Sequence, residues 1–200
     1  MPATGRPASA PHAPARPAPG RPAAAQPERP AETMRFRQAF RRVPAPVAVL
    51  LVHAEGGGIL GLTCTSAASL SADPPMAVVC VDDKTGVTHA IRQAGRFSVN
   101  FLAADRAEWA HAFSSRGRRL DALAGVVGTG RTEVPVLRTG TTSVLECGVA
   151  AIHSGGDHWI VCGLVSHARF QADTEPLIYL AGRYGVFAGD PSPLPPHSGG

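Results

Sequence analysis

Between Gly61 and Pro75 the chain carries six hydroxyl or thiol side chains, Thr63, Cys64, Thr65, Ser66, Ser69 and Ser71, where an apolar run gives out. Small polar side chains at a strand end leave room for a flat ligand and offer donors and acceptors to the edge of a heterocycle. The same residues also suit an ordinary strand-to-turn transition, where Ser and Thr bond nearby backbone. Residue type alone leaves both readings open. A second polar cluster, Gly156, Asp157 and His158, sits between two long β-like runs. A His at a strand end is most often a structural hydrogen-bonder, and Asp157 suits a turn-shaping role. His153 and His158 flank this turn and could face one another, with Cys147 and His167 further off. No carboxylate or Cys stands at fixed ligand spacing beside them, so no metal site is expected. Cys64, Cys80, Cys147 and Cys162 all lie in apolar runs, where buried free thiols are common. No His-plus-acid pattern makes Cys64 a nucleophile.

These groups are carried by a chain of 200 residues, 44% hydrophobic and 17% charged, with 22 Gly and 19 Pro. No apolar run reaches the roughly 20 residues of a membrane span, and no C-x-x-C pair suggests a zinc ribbon or a thioredoxin-type site. The prolines are concentrated at the ends. Residues 1–32 hold nine of them with ten Ala, and residues 190–200 hold four more. Such segments cannot offset the cost of ordering their backbone. The expected organisation is a disordered tail over 1–32, one domain over 33–189 and a second disordered tail over 190–200. The first tail lacks the apolar stretch of a secretory signal, and a cytoplasmic, reducing location is the default expectation. The net charge of +4 is spread thinly, with no basic run longer than Arg41-Arg42 or Arg118-Arg119. A nucleic-acid partner is therefore not expected.

The elements that must position the polar groups read mainly as strands. Phe36, Ala39, Phe40 and Val43 have helical spacing, ended by Pro44 and Pro46. Residues 47–52 and 59–65 form a hairpin across Glu55, Gly56, Gly57 and Gly58. Residues 76–81 and 96–102 are strands. Between them 85–93 is helical and stops at Gly95. Asp105 and Glu108 resemble a capping box for a helix to about Phe113. Residues 114–117 read as a polar loop, and 118–123 as an added helical turn. Residues 142–153 and 158–170 pair across Ser154, Gly155, Gly156 and Asp157, and 177–180 and 184–187 close the domain. Hairpins as the main connections argue for an antiparallel barrel with a few short helices. No G-x-G-x-x-G opens a helix after a strand, so a Rossmann site is not indicated.

Four motifs in order carry a resemblance. Gly61, Leu62 and Thr63 through Ser69, Leu70, Ser71, Ala72, Asp73, Pro74 and Pro75 look like the flavin-binding segment of the flavin reductase-like family. Val99, Asn100, Phe101 and Leu102 after Gly95, Arg96 and Phe97 match its next strand. Gly156, Asp157 and His158 followed by Gly163, Leu164 and Val165 match its Gly-Asp-His hairpin. Pro176 to Tyr179 with Gly182, Arg183 and Tyr184 match its C-terminal element. The resemblance covers residues 34–187. It implies a mainly β fold, a Greek-key FMN-binding split barrel of antiparallel strands. It also implies a homodimer with flavin at the subunit interface.

The activity so implied is an NAD(P)H:flavin oxidoreductase. It moves a hydride from NADH or NADPH to FMN or FAD and supplies reduced flavin to a partner two-component monooxygenase. The reacting rings must stack at near-attack distance, and the protein orients them without a covalent or acid–base residue of its own. Thr63, Cys64, Thr65 and Ser66 would face the flavin ring. Ser69, Ser71, Lys84 and Thr88 are candidates for its phosphate, at the start of the 85–93 helix. Lys84 is the only lysine of the chain. The loop Asp82-Asp83-Lys84-Thr85 departs from the family's Ser/Asn-rich form. His158 would lie beside the nicotinamide cofactor with Asp157 shaping the turn, and Arg183 and Tyr184 would line the flavin edge. The other readings are a barrel that holds flavin or haem without turnover, and a flavin-carrying oxidase with its own organic substrate.

Overall fold

The run Ala-Val-Leu-Leu-Val at 48–52 is buried along its whole length, and this decides the architecture. A strand covered on both faces must have neighbours on both edges and a layer on each side. The computed structural model describes residues 33–114, 118–119 and 125–189. In chain order its elements begin with α1 (Thr33–Phe40), β1 (Ala45–Pro46), β2 (Ala48–His53), β3 (Ile59–Cys64), β4 (Ala68–Ala72) and β5 (Pro75–Asp82). A short 3-10 turn over Asp83–Thr85 leads to α2 (Val87–Ala94), β6 (Arg96–Leu102), α3 (Ala107–Ser114) and β7 (Arg118–Arg119). The chain then continues through β8 (Val127–Thr129), β9 (Pro135–Leu137), β10 (Thr141–Gly155), β11 (His158–Phe170), β12 (Ile178–Leu180) and β13 (Arg183–Gly185). The expected tails, 1–32 and 190–200, lie outside the described residues.

Among the described residues, eight strands form one sheet in the order β4-β5-β11-β10-β6-β2-β3-β7. All their pairings are antiparallel. β1, β12 and β13 form a second sheet, and β8 pairs with β9. Strand β2 runs against β3 from Ala48↔Cys64 to His53↔Ile59, and against β6 from Ala48↔Phe101 to Leu51↔Ser98. Its side chains alternate between two cores. Ala48, Leu50 and Val52 join Val79, Val81, Val87, Ile91, Phe97 and Val161 under α2. Val47, Val49 and Leu51 join Leu102, Ala110, Phe113, Leu137 and Leu177 under α3.

Local chemistry sets the ends of these elements. Gly95 takes a left-handed φ of 67° and donates its N–H to Ile91 O at 2.9 Å, capping α2, a conformation glycine adopts without penalty. Asn100 is buried in β6 and fully used. Its amide donates to Val49 O and to Ser98 Oγ, and its oxygen accepts from Leu137 N, so β9 is tied to the main sheet. Glu146 on β10 is only 3% exposed. Its carboxylate accepts from Arg131 N at 3.0 Å, Thr132 N at 2.6 Å and Thr132 Oγ1 at 2.7 Å, holding the β8–β9 connection.

Most expected elements are present, with four differences. Residues 68–72 form a strand, β4, that pairs with β5. Arg118–Arg119 are extended and pair with β3 instead of turning as a helix, with 120–123 outside the described residues. Asp105 does not open a capping box: α3 starts at Ala107, and the Asp105 carboxylate lies 3.2 Å from the Arg106 guanidinium. His153 stands opposite Ile160, not His158, because the two-residue turn puts Gly155 opposite His158. The helical spacing of 36–43 is realised in α1, yet Met34, Phe36, Phe40 and Val43 are all more than half exposed.

Two stability outcomes follow. Gly61 faces the Phe113 ring so closely that an added Cβ would lie 2.4 Å from it. Gly61→Ala should lower stability by about 1–3 kcal/mol, measured by denaturant unfolding. For Glu146, burial opposes ionisation, but the hydrogen bonds from Thr132 and Arg131 outweigh it and hold the carboxyl below its usual range. The stability it brings is therefore complete above the unfolded carboxyl pKa of about 4.3 and is lost as pH falls through the lower folded value. Glu146→Gln should cost about 1–3 kcal/mol near pH 7, and the gap to the parent should close in acid. A gap independent of pH would contradict this.

Candidate functional site

The polar segment that begins at Thr63 divides by side-chain partner. Thr63 Oγ1 donates to Ala110 O of α3 at 2.8 Å. Ser66 Oγ donates to Cys80 O at 2.9 Å and accepts Cys80 N at 3.1 Å, stitching the β3–β4 link to β5. Cys64 is buried in the core, and burial pushes its thiol up to about 12. These three serve the fold. Thr65, in the β3–β4 link, and Ser69 are exposed, and Ser71 is half-buried, the last two along the outer strand β4. Among the described residues their hydroxyls have no side-chain hydrogen bond. They are the members of the segment open to a ligand.

A second group gathers where β5 ends. Asp82 Oδ1 accepts from Lys84 N at 2.8 Å, and Thr85 Oγ1 donates to Asp82 O at 2.9 Å, which turns the chain into α2. Strand β11 pairs with β5 so that His158 lies opposite Asp82, and Asp83 N donates to Asp157 O at 3.2 Å. Lys84, Asp157 and His158 are thereby brought together. The His158 hydrogen bond holds the Asp157 carboxyl below its usual range, reinforced by the charges of His158 and, more weakly, Lys84. Since an ionised carboxylate can only accept, His158 Nδ1–H donates to Asp157 Oδ1 at 2.7 Å. That contact fixes the ring and leaves Nε2 for another partner. Thr88, in the first turn of α2, is 5% exposed, and its Oγ1 is buried without a hydrogen-bond partner. A buried hydroxyl lacking a partner is uncommon and calls for an acceptor or donor from elsewhere.

Arg183 and Tyr184 lie apart from this group, on β13. The Tyr184 ring meets His111 edge-on at 4.9 Å and Tyr179 at 5.6 Å, and burial raises its phenol. Tyr184 and Thr63 both rest on α3, at the neighbouring residues His111 and Ala110. Asp83, Arg92 and Trp159 form a further cluster here that no sequence motif marks as a group. Trp159 Nε1 donates to Asp83 Oδ1, and the Arg92 guanidinium stacks 4.4 Å from the Trp159 ring. An aromatic directly after Gly-Asp-His was the available signal, but its partners come from a different strand end and helix. Among the described residues no group of three His, Cys, Asp or Glu could hold a metal ion.

The arrangement is chemically specific. A lone lysine and an unsatisfied hydroxyl at the start of a helix suit a phosphate. Free hydroxyls suit a polar heterocycle. Thr65 precedes Ser66, which is bonded to Cys80, while Ser69 and Ser71 lie toward the start of β5. The oriented imidazole stands beside Lys84. The site fits a phosphorylated flavin. Antiparallel β-barrel proteins with such an edge are the class that the fold defines. The flavin reductase like domain matches residues 40–188, and the chain belongs to this family. It is 35% identical over 159 residues to the reductase component of a 4-nitrophenol 4-monooxygenase/4-nitrocatechol 2-monooxygenase from Rhodococcus opacus, covering 79% of this chain and 83% of that one. It is 34% identical over 154 residues to the NADH-dependent FMN reductase SmoA of Agrobacterium fabrum, covering 76% and 85%. The NADH:FAD oxidoreductase SgcE6 of Streptomyces globisporus C-1027, solved with NAD and FAD fragments, superposes with a TM-score of 0.74 at 26% identity, over 84% of this chain and 100% of that one.

Burial of Cys64 gives a direct test of its assignment to the core. Alkylation of Cys64 at pH 8 should be at least about tenfold slower in the folded protein than in denaturant, because so little thiolate forms. Peptide mass mapping would read this, and fast labelling of the folded chain would overturn it.

Proposed function

We propose that the chain is an NAD(P)H-dependent flavin reductase, transferring hydride from NADH or NADPH to FMN or FAD. The family match over residues 40–188 carries the reading. The names of its relatives favour turnover over a barrel that merely stores flavin or haem. Lys84 and Thr88 hold the flavin phosphate. The hydroxyl of Thr65 bonds the ring edge, while Thr63, Cys64 and Ser66 hold that edge in shape, and Ser69 and Ser71, the other phosphate candidates, extend the site along β4 toward the start of β5. Asp157 orients His158, whose free nitrogen faces the nicotinamide nucleotide, and Arg183 with Tyr184 borders the flavin at the α3 side. When bound, the flavin supplies the hydride-accepting ring. The protein aligns the two rings at reacting distance, and alignment is the main source of rate. The ring edge is bound mainly by neutral groups, which suits release of reduced flavin to a separate monooxygenase.

The protein acts as a homodimer. Met34, Phe36, Phe40 and Val43 around α1, together with Leu180, Val186 and Phe187, expose apolar area that a monomer leaves wet, and such patches mark interfaces. The Arg41 backbone and guanidinium bond Ala181, joining the two parts of this surface. Four free cysteines fit the reducing cytoplasm.

Purified protein mixed with each nicotinamide and each flavin should bleach the nicotinamide absorbance in a flavin-dependent manner. No oxidation with any pairing would defeat the proposal. Lys84→Ala and Thr88→Val should each raise KM for flavin about tenfold with kcat little changed, the pattern of lost uniform binding. His158→Ala should raise KM for the nicotinamide instead. Light scattering should give twice the 20.7 kDa chain mass.

A further inference from the structure

A second polar cavity lies on the opposite stretch of the β10–β11 hairpin. It has a volume of about 350 Å³ and is lined by Thr129, Gly130, Arg131, Arg138, His167 and Arg169, with Glu146 and Val136 at its base. His167 stands opposite Glu146 across the hairpin, nine residues along β11 from His158. At about 3.3 Å per residue that is about 30 Å from the Gly-Asp-His turn. The cavity is thus separate from the group formed by Lys84, Asp157 and His158.

Three arginines line this cavity with one carboxylate, and that carboxylate is already committed. Both Glu146 oxygens accept from Arg131 N, Thr132 N and Thr132 Oγ1. Among the described residues, none of Arg131, Arg138 and Arg169 has an acidic partner within salt-bridge distance. Arg169 is pinned by its contacts to Leu137 O and Arg138 O, which occupy at most two of its five donors. Arg138 is also placed, since an added Cβ at Gly128 would lie 2.2 Å from its Nε. At Gly130 the same atom would lie 2.6 Å from the Glu146 carboxylate. Neither glycine has a left-handed φ, so each is needed for space and not for backbone conformation. The hairpin is shaped around these charged groups.

We infer that this cavity binds the oxyanion group of a small molecule, a phosphate or a carboxylate, at a site distinct from the Lys84 and His158 group. Planar guanidiniums match either group with paired hydrogen bonds. Unpaired like charges held in one cleft are relieved by an anion. Val136 gives the cavity an apolar floor, so the ligand carries the oxyanion on a compact body. His167 adds a further nitrogen to the wall.

The test is a titration of full-length protein with inorganic phosphate and, separately, malonate, against potassium chloride at matched ionic strength. Melting temperature and calorimetry are the readouts, in the presence of saturating FMN. A saturable rise with either probe is expected, and the better probe identifies the oxyanion. Arg138→Gln and Arg131→Gln should each weaken it about tenfold or more without changing the melting temperature in chloride or the rate of flavin reduction. Lys84→Ala should bind the probe as the parent does. No saturable rise with either probe would overturn the inference, as would affinity equal to the parent's in both arginine variants or loss of binding in Lys84→Ala alone. Should Arg138→Gln unfold, Arg131→Gln decides alone, since the Arg131 side chain is exposed and makes no hydrogen bond.

Discussion

The structure depends on one strand being buried on both faces. Consecutive side chains of a strand point to opposite sides, and in β2 both sides are apolar. Leu50 closes one core beneath α2 while Leu51 closes the other beneath α3. Each fully buried Val or Leu side chain is worth about 1.5–3 kcal/mol, so the four in a row from Val49 to Val52 outweigh any local preference of the segment. Because β2 must be paired on both edges, β3 and β6 are drawn to it, and their register follows from hers in the sheet as a whole. The polar groups at the far end of β3 and in the turn into α2 inherit their positions from this arrangement.

The candidate site shows how little of a functional surface a single segment supplies. Strand β5 is the shared member. It takes Ser66 against Cys80 on one edge and His158 against Asp82 on the other. Its C-terminal end then turns through Asp82, which caps the chain on its way to Thr88. The link at Ser66, the helix start and the imidazole therefore meet at the C-terminal end of one strand, while Ser69 and Ser71 lie against Ala77 and Met76 near its start. The cost of placing them is borne by the cores, since Val79 and Val81 on β5 are fully buried.

Strong apolar alternation and explicit turn residues made most elements legible in the sequence. The β2–β3 hairpin, β6, α2 with its Gly95 cap, and the long β10–β11 pair all lie where the residues indicate. What escaped was set by contacts distant in sequence. β4 is rich in Ala and Ser and has little strand preference of its own; pairing with β5 makes it a strand. The 125–140 segment becomes a hairpin because Asn100 and Glu146 satisfy its backbone. The six hydroxyl and thiol groups after Gly61 were identifiable as a set, but not which of them the fold would use. Thr63 reaches Ala110 and Ser66 reaches Cys80, partners that no local pattern announces. In the same way Trp159 acquires meaning only once Arg92 and Asp83 are folded against it.

That indole has a practical side. The chain has two tryptophans, and they report on different regions. Trp159 follows His158 directly in sequence, whereas Trp109 belongs to α3, where it is stacked with Arg106. The molecule thus carries its own fluorophore beside the Gly-Asp-His turn, with a second one on another element to serve as an internal reference. Emission from the first reports on the contacts that Asp83 and Arg92 make with its ring, so changes at the hairpin turn can be followed optically without attaching a dye.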